Sequence, residues 1–263
     1  MFKKTGLLIG FSLLTLPLCA HDTWVAPDRF AVRRGDTIEL HMTSGMAFPK
    51  LDTAIKPERV ARALIRAGGQ SSMMMPLRRG AHSLDFRIHS RSTGVATIAV
   101  DLKPNTIELS PKQVAEYLDE IGADAELRRM WAEAPEPKRW RETYTKHAKS
   151  FVLVETPDDS WKASMELAFE FVPLTDPTSL RAGGTLPIRL IESGKPLANF
   201  PVGVVHGMDG DATILKTDDE GRVDVPLPKS GRYMLRATHI RPAQRTDADW
   251  ISDFTTVTVN VRE

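Results

Sequence analysis

The chain has 263 residues, 35 basic against 34 acidic side chains, and a single cysteine. A near-neutral balance excludes nucleic acid as the partner, because phosphate binding needs a concentrated basic surface. The length suffices for two modest hydrophobic cores or one large one.

Lys3 and Lys4 open the chain, Gly6 to Leu18 are apolar, and Cys19-Ala20 offers a small residue before His21. Positive, apolar and cleavable segments in that order predict a signal peptide over residues 1–20, cleavage after Ala20 and export to a Gram-negative periplasm. Lipid attachment at Cys19 is the alternative, but its signal wants a small residue where Leu18 stands. No later run approaches the roughly 18 apolar residues of a membrane helix, so the mature chain is expected not to be membrane-embedded. Cleavage removes the only cysteine, which leaves no disulfide, thiolate ligand or cysteine nucleophile. Nitrogen donors must then be histidine or the new amino terminus, and soft donors must be methionine.

From His21 onward the chain reads as short strands. Apolar and polar residues alternate through Thr37 to Met42 and Ser83 to Ile88, the period of half-buried strands, and Val95 to Leu102 is a β-branched run. Gly35-Asp36, Gly68-Gly69 and Gly80 punctuate them. Ser110-Pro111 has the chemistry of a helix start, with Val114, Leu118 and Ile121 on one face and Gly122 as a stop. Asp124 to Ala134 and Pro137 to Lys149 are expected to be helices too, the last because Trp140, Tyr144 and His147 recur three to four residues apart. The fold class is therefore mainly β: an amino-terminal sandwich-like domain over 21–175 with a helical insertion at about 110–150. A boundary near residue 175, at Pro173 and Pro177, precedes a carboxy-terminal domain over 176–263. Its turns at Gly183-Gly184, Ser193-Gly194, Asp209-Gly210 and Asp219-Glu220-Gly221 suit an immunoglobulin-like sandwich.

Several segments together resemble a known family. His21-Asp22-Thr23-Trp24, the stretch Ser44 to Pro49 and Tyr144 to Lys149 are similar to the periplasmic family called domain of unknown function 4198. So are Thr217 to Arg222, Pro228 to Tyr233 and Ala237-Thr238-His239, so the resemblance runs over nearly the whole mature chain. Members are commonly described as periplasmic components of nickel or cobalt uptake. The resemblance implies a metal-handling β protein with a carboxy-terminal immunoglobulin-like domain.

His21 at a processed terminus would hold two nitrogen donors in one residue, the free α-amine and the imidazole, a pair that chelates Ni(II) or Cu(II). Asp22 adds a carboxylate or orients an imidazole. His239 is the candidate third ligand, meeting His21 at a domain interface. His82 and His89 flank one strand on opposite faces and cannot share a metal there without a bulge, while His206 before a turn and His147 on a helix read as structural or surface residues. Met73-Met74-Met75 and the His41-Met42 pair with Met46 are soft donors that would favour Cu(I), yet read first as core filling. There is no nucleophile elbow, phosphate loop or zinc-protease helix motif. The expected function is capture of a divalent transition metal, nickel or cobalt before copper, for presentation to a membrane importer or outer-membrane receptor. An amino-terminal copper enzyme and a metal-free envelope interaction module are the alternatives.

Overall fold

In Thr37–Gly45 the inward residues Ile38, Leu40 and Met42 are fully buried while Thr37, Glu39 and His41 are not, and this alternation makes one face of a sandwich. The computed structural model describes residues 21–207, 212–244 and 247–263. The expected leader and the Asp209-Gly210 turn lie outside the described residues.

The strands in chain order are β1 (Asp22–Pro27), β2 (Ala31–Val32), β3 (Thr37–Gly45), β4 (Thr53–Ala54), β5 (Val60–Ala67) and β6 (Gln70–Met73). They continue with β7 (Pro76–Arg79), β8 (Leu84–His89), β9 (Gly94–Leu102) and β10 (Asn105–Leu109). Two helices follow, α1 (Pro111–Glu120) and α2 (Ala125–Ala132). The remainder comprises β11 (Trp140–Val154), β12 (Phe169–Pro173), β13 (Gly184–Glu192), β14 (Lys195–Pro196) and β15 (Pro201–His206). The last strands are β16 (Thr213–Lys216), β17 (Arg222–Leu227), β18 (Gly231–Pro242) and β19 (Trp250–Val261). The protein is mainly β, and no helix among the described residues is long and apolar enough to cross a membrane.

Two sandwiches share one sheet. The order β1-β3-β8-β7 forms one layer of the first, and β11-β9-β5-β6 forms the other. Val25, Ile38, Leu40, Met42, Leu84 and Phe86 meet Ile65, Ile98, Val100 and Val152 between them. β11 then pairs in parallel with β19, and the sheet runs on through β18, β15 and β16, ten strands among the described residues once β2 and β10 at β11 are included. Against this second half packs a small sheet of β12, β13, β14 and β17. Phe169, Phe171, Leu186, Ile188 and Val225 from the small sheet interlock there with Val202, Leu235, Val257 and Val259. Strands β12-β13-β17 facing β16-β15-β18-β19 is an immunoglobulin-like arrangement. Tyr233 confirms it locally: its hydroxyl donates to the Lys229 carbonyl at 2.9 Å, the corner bond that ties a strand start to the preceding turn.

The helical insertion is shorter than expected. Ser110 caps α1, with Gln113 returning a bond to its backbone, Pro111 occupies the first turn, and Gly122 leaves the helix at φ 64°. Both helices lie against the sheet end, where Val114, Tyr117 and Leu118 pack on Trp140, Ile240 and Trp250. Residues 140–149, expected as a third helix, instead belong to β11, a strand of 15 residues. Their helical spacing of aromatics is coincidental. Thr143, Thr145 and the aromatic residues favour a strand, and β11 is covered on both faces, with every residue from Lys146 to Val152 buried. The charged residues within it obscure a two-residue period because they are paired inside rather than exposed outside.

Candidate functional site

The start of β1 is held on several sides. Asp22 pairs with Gly45 and Thr23 with Ser44 on β3, and the Thr23 and Ser44 hydroxyls bond directly. Thr256 and Thr258 of β19 donate their hydroxyls to the Thr23 and Val25 carbonyls, each at 2.7 Å. Trp24 and Ala26 pack with Phe48 on Val205 and Met234 of the second sandwich. The start of β1 therefore sits in a seam between the two sandwiches.

Charged groups converge on that seam. Lys146 of β11 donates its ammonium to the His21 carbonyl at 2.5 Å. Arg236 of β18 donates one nitrogen both to Asp22, at 2.6 Å, and to Glu120 at the end of α1, at 2.7 Å. Room for Arg236 depends on its neighbour in β15: a Cβ on Gly203 would lie 2.9 Å from the Arg236 Cγ. Burial drives the acid–base behaviour of this group. It pushes Asp22 and Glu120 above the usual carboxylate range, against the opposing charge of Arg236. It also pulls Lys146 down to about 8, although Asp22 and Glu142 favour its charged form. Glu142, just behind, is raised by burial too, while Ser252, Trp140 and Tyr117 all donate to it. The His21 imidazole sits beside these groups with its Nδ1 buried and without any hydrogen-bond partner.

His21 and Asp22 thus come together, but His239 does not join them. Along β18, Met234 and Arg236 face the seam, so Tyr233, Leu235, Ala237 and His239 face the opposite side, into the second sandwich. His239 lies within β18 rather than past a strand, bonds Glu192 at 2.9 Å and packs its ring edge-on to Phe200, with centroids 5.3 Å apart. The alternation of the strand separates the predicted ligands.

His239 belongs to a second polar chain on that far face. Arg62 pairs with Asp101 at 2.7 Å, Asp101 with His147 at 2.7 Å, and Arg241 links Asp253 to Glu192. The His147 Nε2 lies 3.5 Å from Asp253. His147, expected on a helix, is a strand residue only 4% exposed. Burial opposes its charged form, but Asp101 and Asp253 outweigh that and raise its pKa. A base raised in the folded state stabilises fully below its unfolded pKa and loses that contribution as pH rises through the folded one. His147→Gln is therefore expected to cost more stability at pH 5.5 than at pH 9, as read by urea unfolding at both values.

The remaining histidines are engaged elsewhere: His41 with Asp85 at 2.9 Å, His82 with the Asp52 carbonyl at 2.8 Å, His89 with Thr37 at 3.3 Å and His206 with the Ser230 carbonyl at 2.9 Å. Of the methionine run only Met74 is core, while Met73 and Met75 are 68% and 73% exposed; Met42 is buried and Met46 exposed. Alternation across the connection turns one sulfur inward and two outward, so the core reading holds for Met74 and Met42 alone. Lys146, Arg236 and Glu120 were not legible as site residues, because each reaches the seam from a different part of the chain. The one available signal was the density of charge inside a segment too rich in threonine and aromatics to be a surface helix.

No curated protein matches this chain. Among solved structures it is similar to the D0-D1 domain of Intimin, at 11% identity and a TM-score of 0.23, covering 91% of this chain and 97% of that one. It is also similar to the Yersinia pseudotuberculosis adhesin InvE, at 13% identity and a TM-score of 0.23, covering 92% of this chain and 58% of that one. A family model matches residues 18–241, and the chain accordingly belongs to the family described as Domain of unknown function (DUF4198).

Proposed function

We propose that this protein is exported to the periplasm, is cleaved before His21, and binds a divalent transition metal through that residue for delivery to an uptake system. The orphaned His21 Nδ1 carries the reading: a buried ring nitrogen without a partner is costly unless a ligand satisfies it. The first strand supports it too, since the pairing of Asp22 and the Lys146 contact with the His21 carbonyl hold the chain start in place, where an unanchored terminus would fray. Cleavage would add the α-amine beside that nitrogen. Because Arg236 already occupies Asp22 and Glu120, the free donors are neutral nitrogens rather than carboxylates. Such donors suit nickel, cobalt or copper and not magnesium or calcium. Asp22 then serves by anchoring the strand, and the metal is cargo.

Calorimetric titration with Ni(II), Co(II) and Cu(II) tests this on protein beginning at His21. Dissociation constants below about 10 μM are expected, with a loss of at least tenfold in His21→Ala and in protein retaining residues 1–20. Equal binding by the unprocessed chain would remove the α-amine from the site. No binding tighter than about millimolar would end the metal reading.

A further inference from the structure

The first sandwich is open along one side. There β6 ends one layer and β8 outruns β7 in the other, because pairing with β7 stops at Phe86, opposite Pro76, whose nitrogen has no proton to donate. Between these edges lies a cleft of about 470 Å³, within the usual size of a small-molecule site. Its floor is apolar and drawn from both layers: Ile38 and Ile88 on one side, Ile65, Ala96 and Val154 on the other. The Met73-Met74-Met75 connection forms one lip, with Met74 seated in the core and its two neighbours turned out. Unbranched thioether side chains adapt to an occupant more readily than branched ones.

The charge around this cleft has one sign. No acidic residue lines it; Arg87 is engaged with Glu39 at 2.8 Å, and Arg91 at the mouth is exposed with no acidic partner among the described residues. Ser72, Ser92 and Gln70 complete a polar rim, while the buried Ser90 hydroxyl is held by the Arg33 and Asp36 carbonyls. An apolar floor beneath a neutral rim with a spare guanidinium complements a molecule with an apolar tail and a single anionic head. We propose that this cleft binds a single-chain acyl carboxylate, its tail between the two layers of the first sandwich and its head at Arg91. The site lies on the first sandwich, away from the seam that holds His21, and is independent of metal binding there.

The mature protein is titrated with hexanoate, octanoate and decanoate, and with decanol, by calorimetry. Affinity is expected to rise about fourfold per methylene until the cleft is filled. Decanol should bind at least about tenfold more weakly than decanoate, for want of the charged head. Arg91→Glu should weaken decanoate about tenfold or more and leave decanol unchanged, while Ser72→Trp at the exposed rim should weaken both, with far-ultraviolet dichroism and the unfolding midpoint as in the parent. Affinity independent of chain length, equal binding of decanol and decanoate, or undiminished binding in Ser72→Trp would each overturn the proposal. Binding of acyl chains only as phosphatidylglycerol vesicles would overturn it as well, since the occupant would then be a membrane surface.

Discussion

Lys149→Met is expected to lower the unfolding free energy by about 3–5 kcal/mol, and Lys149→Met combined with Glu170→Gln to restore most of the loss. Lys149 and Glu170 are 1% and 0% exposed, and their side chains meet at 2.5 Å inside the second sandwich. Glu170 also accepts from the Ser164 hydroxyl at 2.5 Å and from the Met165 and Leu167 amides at 2.8 and 3.4 Å, so it organises the segment that leads into β12. Burial favours neutral forms of both partners, yet Lys149 and the donors around Glu170 hold its carboxyl below the usual range. Removing only the ammonium leaves a buried, uncompensated carboxylate. Removing both charges abolishes the desolvation cost and keeps an amide oxygen for two of the three donors, the Ser164 hydroxyl and the Leu167 amide, with the Met165 amide left facing the new NH2. Urea denaturation of the two single variants and the double variant reads the coupling directly; a double variant as weak as Lys149→Met would show that the loss comes from packing rather than charge.

Arg236→Met should be nearly as damaging, by about 3 kcal/mol at pH 7. The guanidinium is the shared partner of Asp22 and Glu120, which are 14% and 24% exposed and whose pKa values burial already raises. Without it the two carboxylates face each other across the seam with Lys146 as the remaining cation. The sign with pH follows. Acids whose folded pKa exceeds the unfolded one favour folding when protonated, so the variant should regain stability as the solution is acidified toward pH 4.5 and lose it as pH rises. Thermal unfolding of parent and variant at pH 4.5 and pH 7 measures this; a deficit equal at both values would mean that only the stem of Arg236, packed beside Gly203, had mattered.

Both experiments bear on residues that sequence periodicity misassigned or passed over. Lys149 lies in the segment expected to be a helix, and Arg236 in a strand with no visible role. Polar residues on a two-faced central strand break the alternation that marks strands elsewhere, so the clearest patterns belong to half-exposed strands such as β3, and the least legible strand is β11, at the centre of the molecule. The caps behave differently. Ser110, Pro111 and Gly122 mark the ends of α1 correctly because capping is a matter of a few adjacent residues.

The amino-acid sequence alone determines the mainly β class, the position of α1, the family and the grouping of His21 with Asp22, because each depends on neighbouring residues or on local pattern. Only the tertiary structure decides that the two sandwiches share a sheet through the parallel β11–β19 pairing, that Lys146, Arg236 and Glu120 converge on the start of β1, and that His239 faces away from it. Those outcomes depend on contacts across as many as 214 residues of chain, and on which face of a strand a side chain takes, a choice that reverses with every single residue of register.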